Sequence, residues 1–326
     1  MGTSILESIK NFPKQFAYQP QVENVVGPLA KFNKFVLVGM GGSGLVGDAI
    51  LYLRPELDLV THKDYGLPKG IDLRSRLMIF VSHSGNTEEV LDAFNCALKA
   101  GHHLAVVATG GQLLKKAKEI GVLYTELPRA NVQPRMALGW QLRAVLKLMG
   151  EEDLLAESAK LARKLKPRAM ETEGRKLAGG LAGKLPLIYS SSDNYALAHN
   201  WKVRINETAK IPAFFNTLPE FNHNEMAGFD SKPSVWGSSF SPQLILLKDP
   251  ADSPRIKKRM KIMQQILSRR GLPIVAIKLK GETRIEKFFQ SMLLADWFAY
   301  YLARQYGNNP DKALLIESFK KLLKDA

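Results

Sequence analysis

The chain has 326 residues, 45% of them hydrophobic and 24% charged, which is enough for two packed α/β units and excludes a disordered or low-complexity protein. The net charge of +15 leaves nucleic acid, anionic small molecules and generic surface chemistry open as partners. A single cysteine, Cys96, excludes an intrachain disulfide and fits a reducing cytoplasm. No CxxC, HExxH or His/Cys cluster suggests a metal, and no apolar run approaches the length of a membrane span. The opening MGTSILESIK lacks the apolar core of a secretory leader, and Leu6 stands where a myristoylation signal needs Ser or Thr.

Strands and helices alternate from residue 35 onward. Short Val-rich or otherwise apolar runs predict strands at 34–40, 57–62, 77–83, 103–109 and 122–127. Helical stretches lie between them, and Gly101 and Gly121 stand where C-terminal caps are expected. Continuous apolar strands separated by helices imply a parallel sheet covered on both faces. A helical stretch at 134–150 then leads to a charged segment, 151–174, read as the linker between halves. The second half repeats the alternation more loosely, with strands at 185–190, 212–217, 242–248 and 273–280. Helices are expected over 193–210, 255–270, 288–307 and 310–326. The stretch 255–270, RIKKRMKIMQQILSRR, places its apolar residues at helical spacing and lacks the interleaved aromatics on which bases stack. It is read as an amphipathic helix with a solvated basic face, and no nucleic acid is expected as a partner.

Two strand-to-helix loops carry the chemistry, at the strand ends where open parallel sheets bind ligands. In GMGGSGLVG, Gly39, Gly41 and Gly44 satisfy the dinucleotide fingerprint GxGxxG, and Asp64 falls near the place of its acidic partner but just past the second strand. Ser43, a hydroxyl among these glycines, suits a phosphate or a sugar better; the alternative is a plain tight turn. In VSHSGNTEEV, Ser82, Ser84 and Thr87 set three hydroxyls beside a helix start. Capping needs one such group, and three make a cradle for a phosphate monoester. Two phosphate-type loops on one sheet argue against a dinucleotide site.

GMGGSG, SHSGNTEE, PRMALG, NETAKIPAFFNTLPEFNHNEMAGF and a Lys-bearing C-terminal helix occur in this order. Together they resemble the bifunctional phosphoglucose/phosphomannose isomerases of the sugar-isomerase (SIS) superfamily, from about Lys31 to the end. The serine loop alone marks the superfamily, whereas 206–225 is specific to this branch. The resemblance implies an α/β protein of two SIS subdomains, 1–150 and 151–326, each a parallel sheet sandwiched between helices. It implies a homodimer with active sites at the subunit boundary. By motif match it places Gly42 and Ser43 in the substrate site and makes Ser82, Ser84 and Thr87 the phosphate grip. Arg135 matches the active-site arginine, Glu207 the catalytic base and Lys320 the C-terminal lysine. His223 matches the ring-opening histidine, which in the family reaches in from the neighbouring subunit.

The resemblance also implies aldose–ketose isomerisation of a hexose 6-phosphate through a cis-enediol(ate), with no cofactor and no metal. One carboxylate can carry the proton between C2 and C1, and a loop imidazole can serve ring opening. In the family a C-terminal threonine is linked to acceptance of both glucose and mannose 6-phosphate. Here that region reads GNNPDKALL, so the glucose activity is the firmer expectation. The alternatives are another SIS sugar-phosphate isomerase, a non-catalytic sugar-phosphate regulator and a nicotinamide-dependent oxidoreductase.

Overall fold

Two parallel sheets organise the chain, and the computed structural model describes residues 3–25, 31–231 and 241–325. The chain divides into two compact units, Met1–Lys166 and Pro167–Ala326.

The first unit opens with α1 (Ile5–Asn11), capped by the Ser4 hydroxyl, which accepts from the Glu7 amide at 3.2 Å. A 3-10 segment, Phe12–Ala17, follows. The sequence reading assigned nothing to this stretch. Then come β1 (Lys34–Val38), α2 (Gly41–Leu53), β2 (Asp58–His62), β3 (Leu77–Ser82), α3 (Glu88–Lys99), β4 (His103–Ala108), α4 (Gly111–Glu119) and β5 (Leu123–Glu126). The strands pair in parallel in the order β2-β1-β3-β4-β5. Central strand β3 is buried at every residue, as a sheet covered on both faces requires. On one face Val36, Met78, Phe80 and Val106 pack against Val90 and Phe94 of α3 and Leu113 of α4.

The predicted helix at 134–150 begins as a 3-10 turn, Pro134–Ala137, and continues as α5 (Leu138–Met149), ending on Gly150 with φ 75°. The segment read as a linker is helical. It forms α6 (Glu152–Ala159) and α7 (Leu161–Lys164) of the first unit, and the division falls at 166/167, beyond the 150/151 boundary drawn from the sequence. Arg143 ties these helices together. Its buried guanidinium donates to the carbonyls of Tyr18 (2.6 Å) and Leu155 (2.9 Å) and to the Ser158 hydroxyl (2.6 Å).

The second unit runs α8 (Pro167–Gly179), β6 (Leu185–Ser191), α9 (Tyr195–Arg204), β7 (Phe214–Leu218), β8 (Pro242–Lys248), α10 (Pro254–Arg269), β9 (Ile274–Lys278), α11 (Arg284–Gln305) and α12 (Leu314–Asp325). Its parallel order is β7-β6-β8-β9. Met260, Met263 and Leu267 of α10 pack on Leu244 and Leu246, while the basic residues of that helix stay exposed. Trp201 and Trp297 are fully buried; their indoles donate to the Ser291 hydroxyl (3.0 Å) and the Pro167 carbonyl (2.7 Å). Helix α12 exposes its apolar residues, Leu315 to 85% and Phe319 to 62%. Among the described residues no helix is long and apolar enough to cross a membrane.

Gln15 locks the N-terminal 3-10 segment to α5. Its buried amide donates to the Met136 carbonyl at 2.5 Å and accepts from the amides of Gly139 (3.0 Å) and Trp140 (3.3 Å). Gln15→Leu keeps the volume and orphans these backbone groups. Chemical denaturation of the variant should show a loss of about 1–3 kcal/mol.

Candidate active site

Strand order in the first unit reverses between β1 and β3, and such a switch point opens a crevice at the C-terminal strand ends. The glycine loop leaves β1 and the serine loop leaves β3, so topology brings both sequence-predicted loops to the same crevice.

One hydrogen bond joins them directly, and further contacts fix each to its surroundings. A Cβ at Gly42 would lie 2.7 Å from the Pro134 carbonyl carbon and 2.8 Å from the Arg135 Cα. Glycine therefore lets the 134–137 turn rest directly on the start of α2, which carries Arg135 to the crevice; its side chain is 1% exposed. The buried Ser43 hydroxyl accepts from the His83 amide (3.1 Å) and from Gln141 Nε2 (3.2 Å). Its own O–H is what it can still offer a ligand. The serine loop is stitched to the segment after β4, where the His83 carbonyl accepts from the Thr109 hydroxyl (2.6 Å) and the Gly85 carbonyl from the Leu113 amide (2.9 Å). Asn86 Oδ1 accepts from the Gln112 amide at 3.0 Å.

Within the serine loop the three hydroxyls differ. Ser82 is buried, paired to the Thr87 hydroxyl at 2.8 Å and accepting from the Gly85 amide at 3.1 Å. Thr87 is the N-cap residue of α3, yet its side chain makes no capping bond. Ser84 is exposed and accepts from the Asn86 amide at 3.2 Å. The amides of the first turn of α3 point toward this loop, as helix starts that hold anions do. Burial lowers the His83 imidazole below its ordinary 6.5, so it is a neutral ring at physiological pH. Asp64, the would-be ribose reader of a dinucleotide site, lies in an exposed turn and accepts from the Tyr65 amide at 2.7 Å.

Glu207, His223 and Lys320 lie in the second unit. Helix α9 widens at its end into a π-turn, Ile205–Ala209, and Glu207 sits half-buried within it. Such turns recur at functional sites. A buried ion pair anchors the turn: Arg204 Nε lies 2.8 Å from Asp296 Oδ1, and Arg204 Nη1 donates to Asn200 Oδ1 at 2.8 Å. Lys210, in the left-handed region at φ 62°, closes it by donating from Nζ to the Glu207 carbonyl. Asn308, in the GNNP segment, donates to the Ala209 carbonyl at 2.8 Å.

His223 is exposed just after the 3-10 turn Glu220–Asn222, its amide bonded to the Glu220 carbonyl at 2.9 Å. Glu225 clamps the segment that follows. Its carboxylate accepts from the Tyr189 hydroxyl (2.5 Å) and from Asn216 Nδ2 (2.6 Å). Burial, reinforced by that carboxylate, raises the Tyr189 pKa, so the hydroxyl remains a donor. Lys320 is exposed on α12. The sequence reading missed Gln141, the Thr109–Gln112 support, the Arg204–Asp296 pair and Glu225. For the support, the paired glycines Gly110 and Gly111 after β4 were an available signal; the others need the fold.

Parallel order, switch-point loops and a hydroxyl cradle define an SIS-type α/β protein. The family described as "Bacterial phospho-glucose isomerase C-terminal SIS domain" matches residues 170–323. The chain is 33% identical to a bifunctional phosphoglucose/phosphomannose isomerase from Aquifex aeolicus, across 98% of this chain and 99% of that protein. It is 30% identical to one of the same description from Caldicellulosiruptor bescii, across 98% of each. The crystal structure of tagatose-6-phosphate ketose/aldose isomerase from Escherichia coli superposes with a TM-score of 0.71 at 17% identity, covering 95% of both chains. The chain belongs to the bifunctional phosphoglucose/phosphomannose isomerase family.

Gly42→Ala drives a methyl group into the 134–137 backbone and pushes Arg135 out of place. A displacement near 1 Å should lower kcat/KM for the sugar phosphate by about a hundredfold. Steady-state kinetics check this, with circular dichroism confirming that the variant is folded.

Proposed function

We propose that the protein interconverts glucose 6-phosphate, and mannose 6-phosphate as second substrate, with fructose 6-phosphate. The observation that carries this reading is the welded hydroxyl cradle at the first switch point, in a chain of this family. Ser84, Thr87 and the first-turn amides of α3 grip the phosphate, with Ser82 setting the Thr87 hydroxyl. The Ser43 O–H, beside Gly42, faces the sugar. His223 moves the ring-opening proton between O5 and O1. Glu207 then takes the proton from C2 and returns it to C1 on the same face of a cis-enediolate, while the hydroxyl proton passes from O2 to O1. Arg135 and Lys320 offset the charge that develops on its oxygens. No metal ion and no cofactor takes part in these steps. Glu207 is half-buried on an anchored turn, a setting that suits a positioned base.

The same reading makes the protein a homodimer acting in the cytoplasm, with His223 serving the partner's site. The exposure of His223 and the bare apolar face of α12 support it, since contiguous apolar surface of this kind marks an interaction site. Light scattering should give a dimer, and Phe319→Asp should shift the mass toward the monomer.

The direct test is fructose 6-phosphate formation by EDTA-treated protein from each aldose separately. Turnover of both sugars is expected, with glucose 6-phosphate the better substrate. Turnover of neither would overturn the reading. Glu207→Gln should lower turnover by about 10²-fold or more while a phosphate-bearing analogue still binds. Ser84→Ala should weaken that binding by about 1 kcal/mol or more.

A further inference from the structure

The second unit has its own switch point, between β6 and β8. Protein side chains fill it. The Ser191 hydroxyl donates to Asp252 Oδ1 at 2.5 Å, and Asn194 Nδ2 donates to Ser191 Oγ at 2.8 Å, all three residues being buried. One strand further along, at the C-terminal ends of β8 and β9, lies a cavity of about 350 Å³. Its polar lining is Lys248, Lys257, Lys278 and Asp249; Met260 and Pro250 supply an apolar wall.

The charges there do not balance. Asp249 is already paired with the buried Lys287, 2.6 Å away. Among the described residues no carboxylate lies within ion-pair distance of the other three ammonium groups. Two of them are held in place: Lys248 Nζ donates to Gln264 Oε1 at 2.7 Å and Lys257 Nζ to the Pro250 carbonyl at 3.1 Å. The cavity therefore concentrates about three positive charges. The exposed Lys258 and Lys261 of α10 add to the field. Its volume is that of a small-molecule site.

We infer that this cavity is a second anion-binding site, separate from the serine cradle, for a small phosphorylated metabolite bearing three or more negative charges, more than a hexose monophosphate carries. The lysines take the phosphate groups, and Met260 and Pro250 take the organic part. The basic stretch of α10, which the isomerase reaction leaves unused, supplies Lys257. The inference does not rest on the identity of the isomerised sugar.

Inorganic pyrophosphate is the probe, titrated calorimetrically into the full chain in the presence of saturating glucose 6-phosphate. The expected result is one equivalent bound per chain. In Lys257→Gln/Lys278→Gln that affinity should fall about tenfold or more, with turnover in the absence of pyrophosphate unchanged. Ser84→Ala, which damages the first cradle, should leave this binding as it is. The inference is overturned if no pyrophosphate binds under these conditions. It is equally overturned if the double lysine variant binds as wild type does, or if Ser84→Ala removes the binding.

Discussion

The Ser43 hydroxyl holds the first unit's crevice in shape. It accepts from the backbone of the serine loop and from Gln141 of α5 at once, so β1, β3 and the helix behind them share one fixed point. Beside it, Gly42 lets the 134–137 turn settle on the start of α2. Those two adjacent residues, one polar and one without a side chain, convert a generic doubly wound sheet into a rigid cradle. Rigidity matters because a phosphate monoester gripped by hydroxyls and amides must place C1 and C2 of the sugar consistently for a proton to move between them.

The second unit repeats the strand order of the first without repeating its chemistry. Where the first switch point offers Ser84 and Thr87, the second folds Asp252, Ser191 and Asn194 into one another. Burial pushes the Asp252 carboxyl upward in pKa. A carboxylate at that place would also repel a phosphate. The unit instead supplies a half-buried glutamate on a π-turn. Arg204 and Asp296, both essentially inaccessible, hold that turn at high stakes, since removing either would leave a bare charge in the core. The same strand order thus carries open hydroxyls in one unit and a half-buried glutamate in the other.

Much of this was legible in the residues. All nine strand assignments fall on observed strands to within a few residues, because buried parallel strands read as continuous apolar runs. The serine loop stood out because it carries more hydroxyls than capping needs, and Thr87 indeed makes no capping bond with its side chain. What was illegible is long-range. Gln15 reaches Met136 and Ser43 reaches Gln141; such pairings have no local signature. The helices of 151–166 were read as linker because their charge density masks the buried residues Leu154, Leu155 and Leu161. Ser82, grouped with Ser84 and Thr87 by spacing, is the last residue of β3 and is buried and bonded to Thr87, whereas Ser84 and Thr87 lie beyond the strand.

The central claim is the proposal that a carboxylate at Glu207 moves the proton through an enediolate. Isomerisation of glucose 6-phosphate in deuterium oxide, followed by proton NMR, tests it most directly. The account predicts that wild-type protein washes solvent deuterium into C1 of the ketose and C2 of the aldose, and that Glu207→Gln does not. Isomerisation and deuterium wash-in by Glu207→Gln at the wild-type rates would contradict it, because the proton would then move without that carboxylate.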